Sequence, residues 1–450
     1  MSAQMFEFDE ALTELVLGYC RDRLALDPVP LDFPGIKADL DRALDGLLSE
    51  DGNDPAKVMA LFEEHLAPAV ISCDSPRFLS FIPAAPTKAS LLFDMVVSCS
   101  SLQGTSWLEA AGAVAAENQV LALLADRAGM PAGSGGCFVS GGSAGNLSAL
   151  MVARDLARHR GVDVARPLVA VSDQAHSSVD KALHVLGMEA LLVPTVDCRM
   201  TGPALAAALD EAPEGAVVAV TATAGTTNAG IIDDLEEVGQ VARERGLWLH
   251  VDGAYGGAGI LSDRLRPQYA GLRHADSFVV DPHKWLFAPF DCAALIYRHP
   301  HLAKGVHTQD AGYLDVLHTD APEEWNPSDY AYHLTRRARG LPLWFSLAVH
   351  GTGAYGAAID AAVDAARLAA DDIRRRPYLE LIREPSLSAV LFRRVGWERD
   401  DYYRWTAQLL ADQVGFVTPS VWQGETVARF AFLHPATTPE MVAEILDTMA

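Results

Sequence analysis

Cysteine is scarce in this chain: six in 450 residues, at positions 20, 73, 99, 137, 198 and 292, with no Cys-x-x-Cys pair. That scatter supports neither a structural zinc site nor a disulfide framework. It fits a reducing, cytoplasmic compartment in which the thiols serve as small buried hydrophobes. Basic residues are short against acidic ones, 35 to 59, giving a formal net charge of −24. Such a surface disfavours nucleic acid and anionic membranes as partners. No apolar run approaches the ~18 residues of a transmembrane span. The opening MSAQMFEFDEALTEL has no basic stretch followed by an apolar one, as a signal peptide would. Repeats and low-complexity tails are missing too. What remains is ordinary globular composition, 50% hydrophobic and 21% charged, in a chain long enough for two or three structural units.

Residues 1–75 read as a helical segment. FDEALTELVLGYCRDRL, ADLDRALDGLLSE and PAKVMALFEEHL carry apolar residues at helical spacing, and DPVPLDFPG is a proline-punctuated connector. The segment has little core of its own and is expected to pack on something else, a second subunit being one option. From 76 to 335 the pattern changes. Short β-branched runs recur at GCFVS, PLVAVSD, ALLVPTV, AVVAVTAT, LWLHVD, DSFVVD and AALIYR, mostly separated by helical stretches. This alternation predicts an α/β unit whose central sheet is mostly parallel, with helices on both faces. Residues 336–450 predict a small C-terminal α+β domain: a long helix, further strands in LSAVLFRRV and TVARFAFLH, and a closing helix TPEMVAEILDTM.

Ligands of parallel sheets bind at the carboxyl ends of the strands, so the polar residues after each run are the candidates. Lys284 follows DSFVVD inside an apolar stretch. Desolvation leaves a lysine amine neutral and able to condense with an aldehyde, unless the side chain simply snorkels to the surface. Asp252 ends LWLHVD, where a carboxylate can hold a pyridinium nitrogen or cap a turn. The turn Ser140-Gly141-Gly142-Ser143-Ala144-Gly145-Asn146 lies between strand and helix. It offers either a cradle for an anion or plain turn chemistry; it is neither GxGxxG nor a Walker A loop. His176 follows PLVAVSD and either stacks on an aromatic ligand, moves protons or is structural. Thr223, Thr226 and Thr227 follow AVVAV, where hydroxyls bond ring substituents or cap a helix. Together these strand ends offer an anion cradle, a histidine, hydroxyls, an aspartate and a lysine. Convergence of that kind is what a cofactor site requires. No metal-ligand spacing stands out.

The segments SPRFLSFIPAAP, SDQAHSSVDKA, TAGTT, LHVDGAYGG and DSFVVDPHKWLFAPFDC resemble the group II decarboxylases that use pyridoxal 5′-phosphate (PLP), the family of aromatic L-amino-acid decarboxylase. The resemblance runs from about residue 70 to TVARFAFLHPATTPEM. It implies a fold-type I PLP-dependent transferase-like architecture, with active sites at the interface of a homodimer. It implies Lys284 as the internal aldimine lysine, Asp252 on the pyridine nitrogen, His176 stacked on the ring and Thr227 near the ring hydroxyl. Ser143, Ala144, Gly145 and His283 would meet the phosphate. Asp281 stands where relatives carry Asn or Asp. The reaction implied is decarboxylation of an L-amino acid to its amine through a quinonoid, with Tyr313 resembling the loop tyrosine that returns a proton to Cα. Ile82, Ala84, Gln103 and Thr105 resemble the family's side-chain pocket. Gln103 and Thr105 make it polar, which points away from phenylalanine- or tryptophan-like substrates.

Other outcomes share the early chemistry: an aldehyde synthase that couples decarboxylation to oxidative deamination, transamination, or β-elimination. Two further readings are a dinucleotide-binding α/β protein, which lacks its GxGxxG here, and a binding protein without catalysis, which leaves the lysine, aspartate and histidine unexplained.

Overall fold

Each of the seven apolar runs forms a strand: β1 (Gly135–Val139), β2 (Leu168–Ser172), β3 (Glu189–Val193), β4 (Val217–Thr223), β5 (Trp248–Asp252), β6 (Ser277–Val280) and β7 (Ala293–Tyr297). The structure is a computed structural model that describes residues 4–162, 164–309, 312 and 324–450. The strands pair in the order β1-β7-β6-β5-β4-β2-β3. All pairings are parallel except those made by β7, which runs antiparallel to both β1 and β6.

Alternate side chains along these strands enter two separate cores, as a period of two dictates. Phe138, Ala170, Val220, Leu249, Val251 and Phe278 face one core, filled by Leu121 and Leu124 of the helix Trp107–Arg127, Val238 of Leu235–Glu244 and Ile359 of Leu341–Arg375. Val139, Val169, Ala219, Trp248 and Val279 face the other, filled by Ala149 and Ala153 of Gly142–His159 and by Val179 of Ser177–Leu186. Covering both faces is why these strands are near-continuous apolar runs rather than alternating ones. The helix Trp107–Arg127 is long and apolar enough to cross a membrane. Its buried face carries Glu117, which is paired at 2.8 Å with the fully buried Arg336.

Toward the N-terminus the spacing predicts helices, and they form at Glu10–Ala25, Lys37–Leu44 and Pro55–Leu61, the last continued by the turn Phe62–Leu66. No side chain on these helices is buried. At the other end a second sheet forms from β8 (Leu379–Leu381), β9 (Ala389–Arg394), β10 (Pro419–Trp422) and β11 (Glu425–Ala431), all antiparallel, in the order β10-β11-β9-β8. Tyr255, just past β5, ties the two sheets together. Its hydroxyl meets Ser388 Oγ at 2.6 Å and accepts the Ser388 N–H at 3.1 Å.

Candidate active site

The carboxyl ends of β1, β2, β4, β5 and β6 open into one cavity of about 230 Å³. Gly141, Gly142 and Ser143 line it from the first turn, His176 and Ser178 from the second. Thr223 and Thr227, then Asp252, then Asp281, His283 and Lys284 complete the wall. Parallel pairing of β2, β4, β5 and β6 puts these ends at the same edge, so residues more than 140 positions apart become neighbours.

Lys284 sits in the short helix Pro282–Trp285, directly after β6. Nζ lies 3.0 Å from Asp281 Oδ2, and the side chain is 24% exposed. A counter-ion, rather than apolar burial alone, accompanies the amine. Asp281 is buried, and Oδ2 also accepts the Gly142 N–H at 3.1 Å. Gly142 permits this approach, since a Cβ there would come within 2.9 Å of Ala254 Cβ and 3.1 Å of Asp281 Oδ2. The second carboxylate oxygen, Oδ1, is buried without a hydrogen-bond partner among the described residues.

His283 accepts the Cys292 N–H on Nδ1 at 3.0 Å, which leaves Nε2 facing Asp281 Oδ2 at 3.6 Å. Burial lowers its pKa, opposed by Asp281 and assisted by Lys284. Asp252 is buried. Its Oδ1 accepts the Ala254 N–H at 3.0 Å and its Oδ2 accepts from Asn146 Nδ2 at 2.8 Å. His176 caps the helix Ser177–Leu186, its Nδ1 accepting the Ser178 N–H at 3.2 Å. Its ring is otherwise exposed at the cavity mouth.

Ala144 and Gly145 stand behind the cavity, not on it. Their N–H groups bond to Gly141 O at 2.9 and 3.1 Å within the first helical turn. A Cβ at 145 would come within 2.5 Å of Val279 Cγ2, so Gly145 lets the helix lie close on β6. Ile82, Ala84, Gln103 and Thr105 do not line this cavity either. Ile82 and Ala84 are buried elsewhere, while Gln103 Nε2 bonds Thr105 Oγ1 at 3.3 Å and Glu109 Oε1 at 2.8 Å. Tyr313 lies outside the described residues.

The sequence reading assigned no role to three residues that support the site. Asn146 and His250 are fully buried beneath Asp252 and hydrogen-bonded to each other. Arg429, on β11, is buried in the wall behind Thr227. Among the described residues its guanidinium donates only to backbone carbonyls: Thr227 at 2.5 Å, Asn228 at 3.1 Å and Phe81 at 3.1 Å. Burial pulls its pKa down to about 10. The signal available was a charged residue inside the apolar strand ETVARFA.

The arrangement fits PLP: an amine for its aldehyde, an anion for its ring nitrogen, and Ser143 at the helix start beside His283 for its phosphate. A match to the family described as "Pyridoxal-dependent decarboxylase conserved domain" spans residues 38–395. The chain is 33% identical over 439 residues to an L-2,4-diaminobutyrate decarboxylase of Rhizobium meliloti (strain 1021), covering 94% of this chain and 83% of that protein. It is 30% identical over 412 residues to an aromatic-L-amino-acid decarboxylase of Bacillus atrophaeus, covering 89% and 85%. Among solved structures, Oryza sativa TDC with PLP and tryptamine superposes with a TM-score of 0.89 at 24% identity, over 98% of this chain and 99% of that one, which is a likeness of fold. With more than half of its length matched, the chain belongs to the pyridoxal-dependent decarboxylase family.

Proposed function

We propose that this chain decarboxylates an L-amino acid to the corresponding amine with PLP held on Lys284. The observation that carries the reading is the shared cavity of Lys284 and Asp252, an amine and an acceptor-only carboxylate on adjacent strand ends. When bound, the cofactor supplies an electron sink for the pair left behind as CO₂ departs. The chain's own residues do the rest. Asp281 holds the Lys284 amine in place. Asp252, anchored by Asn146 and the Ala254 N–H, presents its remaining lone pairs to the cavity and keeps a ring nitrogen protonated there. Ser143, in the first turn of the helix, and the Nε2 of His283 provide for the phosphate. His176 offers a ring face at the mouth, and Thr227 a hydroxyl at the wall. Tyr313 is assigned the proton delivered to Cα.

A homodimer with each cavity completed by the partner belongs to the same proposal. Support comes from apolar residues left exposed on the first helix, Leu12, Val16 and Leu17. Within such a dimer the linked polar side chains of Gln103, Thr105 and Glu109 favour a substrate with a polar side chain. The cysteine content suits a cytoplasmic location.

The test is direct. Protein incubated with PLP should show a visible band that borohydride abolishes, leaving the cofactor on Lys284. An amino-acid panel should then yield CO₂ and one amine. Aldehyde, ammonia and peroxide as the main products, with dioxygen consumed as the oxidant, would transfer the chain to the aldehyde-forming reading. In Tyr313→Phe, amine yield should fall in favour of aldehyde; an unchanged yield removes Tyr313 from the mechanism. Turnover of aromatic amino acids alone would refute the polar-substrate reading.

A further inference from the structure

Beneath the cavity a chain of polar side chains links Asp252 and His176 through the buried Asn146 and Ser178. Trp248, His250 and Asp252 alternate along β5, so all three point toward the helix Gly142–His159. Ser277 on β6 is paired with His250 in the sheet register. Trp248 Nε1 meets Ser277 Oγ at 2.9 Å, Ser277 Oγ meets His250 Nδ1 at 2.9 Å, and His250 Nε2 meets Asn146 Oδ1 at 2.8 Å. Asn146 Nδ2 then reaches both Asp252 Oδ2 at 2.8 Å and Ser178 Oγ at 3.0 Å, and Ser178 Oγ reaches His176 Nδ1 at 2.8 Å.

The direction of every bond follows from the ends. An ionised Asp252 only accepts, so the Asn146 NH₂ must face it and the amide oxygen must face His250. That oxygen requires a proton on His250 Nε2. Nδ1 therefore accepts from the Ser277 hydroxyl, whose lone pair takes the donor-only indole N–H of Trp248. On the other branch Ser178 receives one amide proton and turns its own O–H to His176 Nδ1. The Ser178 backbone N–H, which can only donate, points at the same nitrogen at 3.2 Å. Both bonds leave the proton of a neutral His176 on Nε2.

We infer that His250 and Asn146 are positioning residues for the reaction: one amide, oriented by the His250 ring, fixes which lone pairs Asp252 offers to the cavity and which nitrogen of His176 carries the proton. The inference rests on the function proposed above. Burial supports it, pulling His250 down to about 4, so that the ring is neutral at neutral pH. The single amide makes the two functional groups interdependent. Turning it over would bring its oxygen against the Asp252 carboxylate and face its NH₂ to a protonated ring nitrogen, losing several bonds at once.

Two measurements test this. In apo protein labelled with ¹⁵N-histidine, with signals assigned through His250→Gln and His176→Gln, His250 should carry its proton on Nε2 alone and remain unchanged from pH 8 to pH 5.5. His176 should show an unprotonated Nδ1 at pH 8. In holoenzyme, His250→Leu and Asn146→Leu should weaken PLP binding about 10-fold, the worth of one buried hydrogen bond. His250→Gln, which keeps a donor for Asn146, should recover most of that loss. A wild-type His250 protonated on Nδ1, or Leu and Gln variants that both bind PLP like wild type, would overturn the inference. A wild-type chain that never takes up PLP would instead overturn the parent reading, and the tautomer measurement on apo protein is independent of that outcome.

Discussion

Asp281 Oδ2 lies 3.0 Å from the Nζ of Lys284, three residues later in the chain, and the same oxygen accepts the N–H of Gly142 from the turn after β1. One carboxylate thus joins the lysine strand end to the glycine turn. The substitution Asp281→Asn keeps an acceptor for Gly142 but removes the counter-ion. A charge-assisted hydrogen bond contributes about 1.5–3 kcal/mol, reduced here to about 1–2 kcal/mol because Lys284 is 24% exposed. A double-mutant cycle of Asp281→Asn with Lys284→Met on the apo protein should return that coupling in urea unfolding. A coupling below about 0.3 kcal/mol would show the contact to be idle.

The buried histidines make stability depend on pH. Burial pulls His250, His307 and His333 each down to about 4. Unfolded, they titrate near 6.5. Between those values the unfolded chain binds more protons, so stability declines as pH falls from about 6.5 toward 4. Asp233 opposes this. Burial raises its carboxyl to about 6, and its contribution grows as pH falls through the same window. Burial also lowers His283 and His434 and raises Asp94 and Asp276, so five histidines stand against three aspartates and the net slope keeps the sign of the histidines. Urea midpoints of the apo protein should therefore be clearly lower at pH 5 than at pH 7. Equal midpoints would mean that these rings are not held neutral.

Gly145 answers to packing. A Cβ there would stand 2.5 Å from Val279 Cγ2. Gly145→Ala should destabilise the fold by about 1–3 kcal/mol through overpacking. Adding Val279→Ala removes the opposing methyl and should restore part of that loss. If the double variant is no better than the sum of the two singles, the helix is held off β6 by something other than this contact.

Glu117 and Arg336 form a bidentate pair inside the protein, with both bonds at 2.8 Å and Glu117 Oε1 also accepting the Gly340 N–H. Glu117→Gln leaves the fully buried guanidinium without its anion, which costs about 3–5 kcal/mol. The expected readout is a lower urea midpoint with the cavity residues unchanged. A loss under about 1 kcal/mol would place Arg336 in contact with solvent or another anion.

Much of the site was legible in the sequence because strands and their ends are local. All seven apolar runs became strands, and a polar residue after a strand needs only the parallel rule to reach the ligand edge. Lys284, Asp252, His176, Thr227, Ser143 and His283 meet in one cavity for that reason. Ala144 and Gly145, which the resemblance puts at the phosphate, turn their N–H groups to Gly141 O in the first helical turn. Their placement depends on where the first N–H groups find acceptors. Arg429 was missed because β11 lies about 200 residues beyond Thr227 in sequence.

By itself the sequence determined the order of elements, the double-faced burial of the central sheet and the identity of the groups at its carboxyl edge, because periodicity and side-chain chemistry act over a few residues. Only the tertiary structure decided that Asp281 accompanies Lys284, that Gly145 is spent on packing, and that His250 reaches Asp252 through Asn146. Those facts depend on how closely one helix lies across several strands, a distance set by packing between segments that no local pattern encodes.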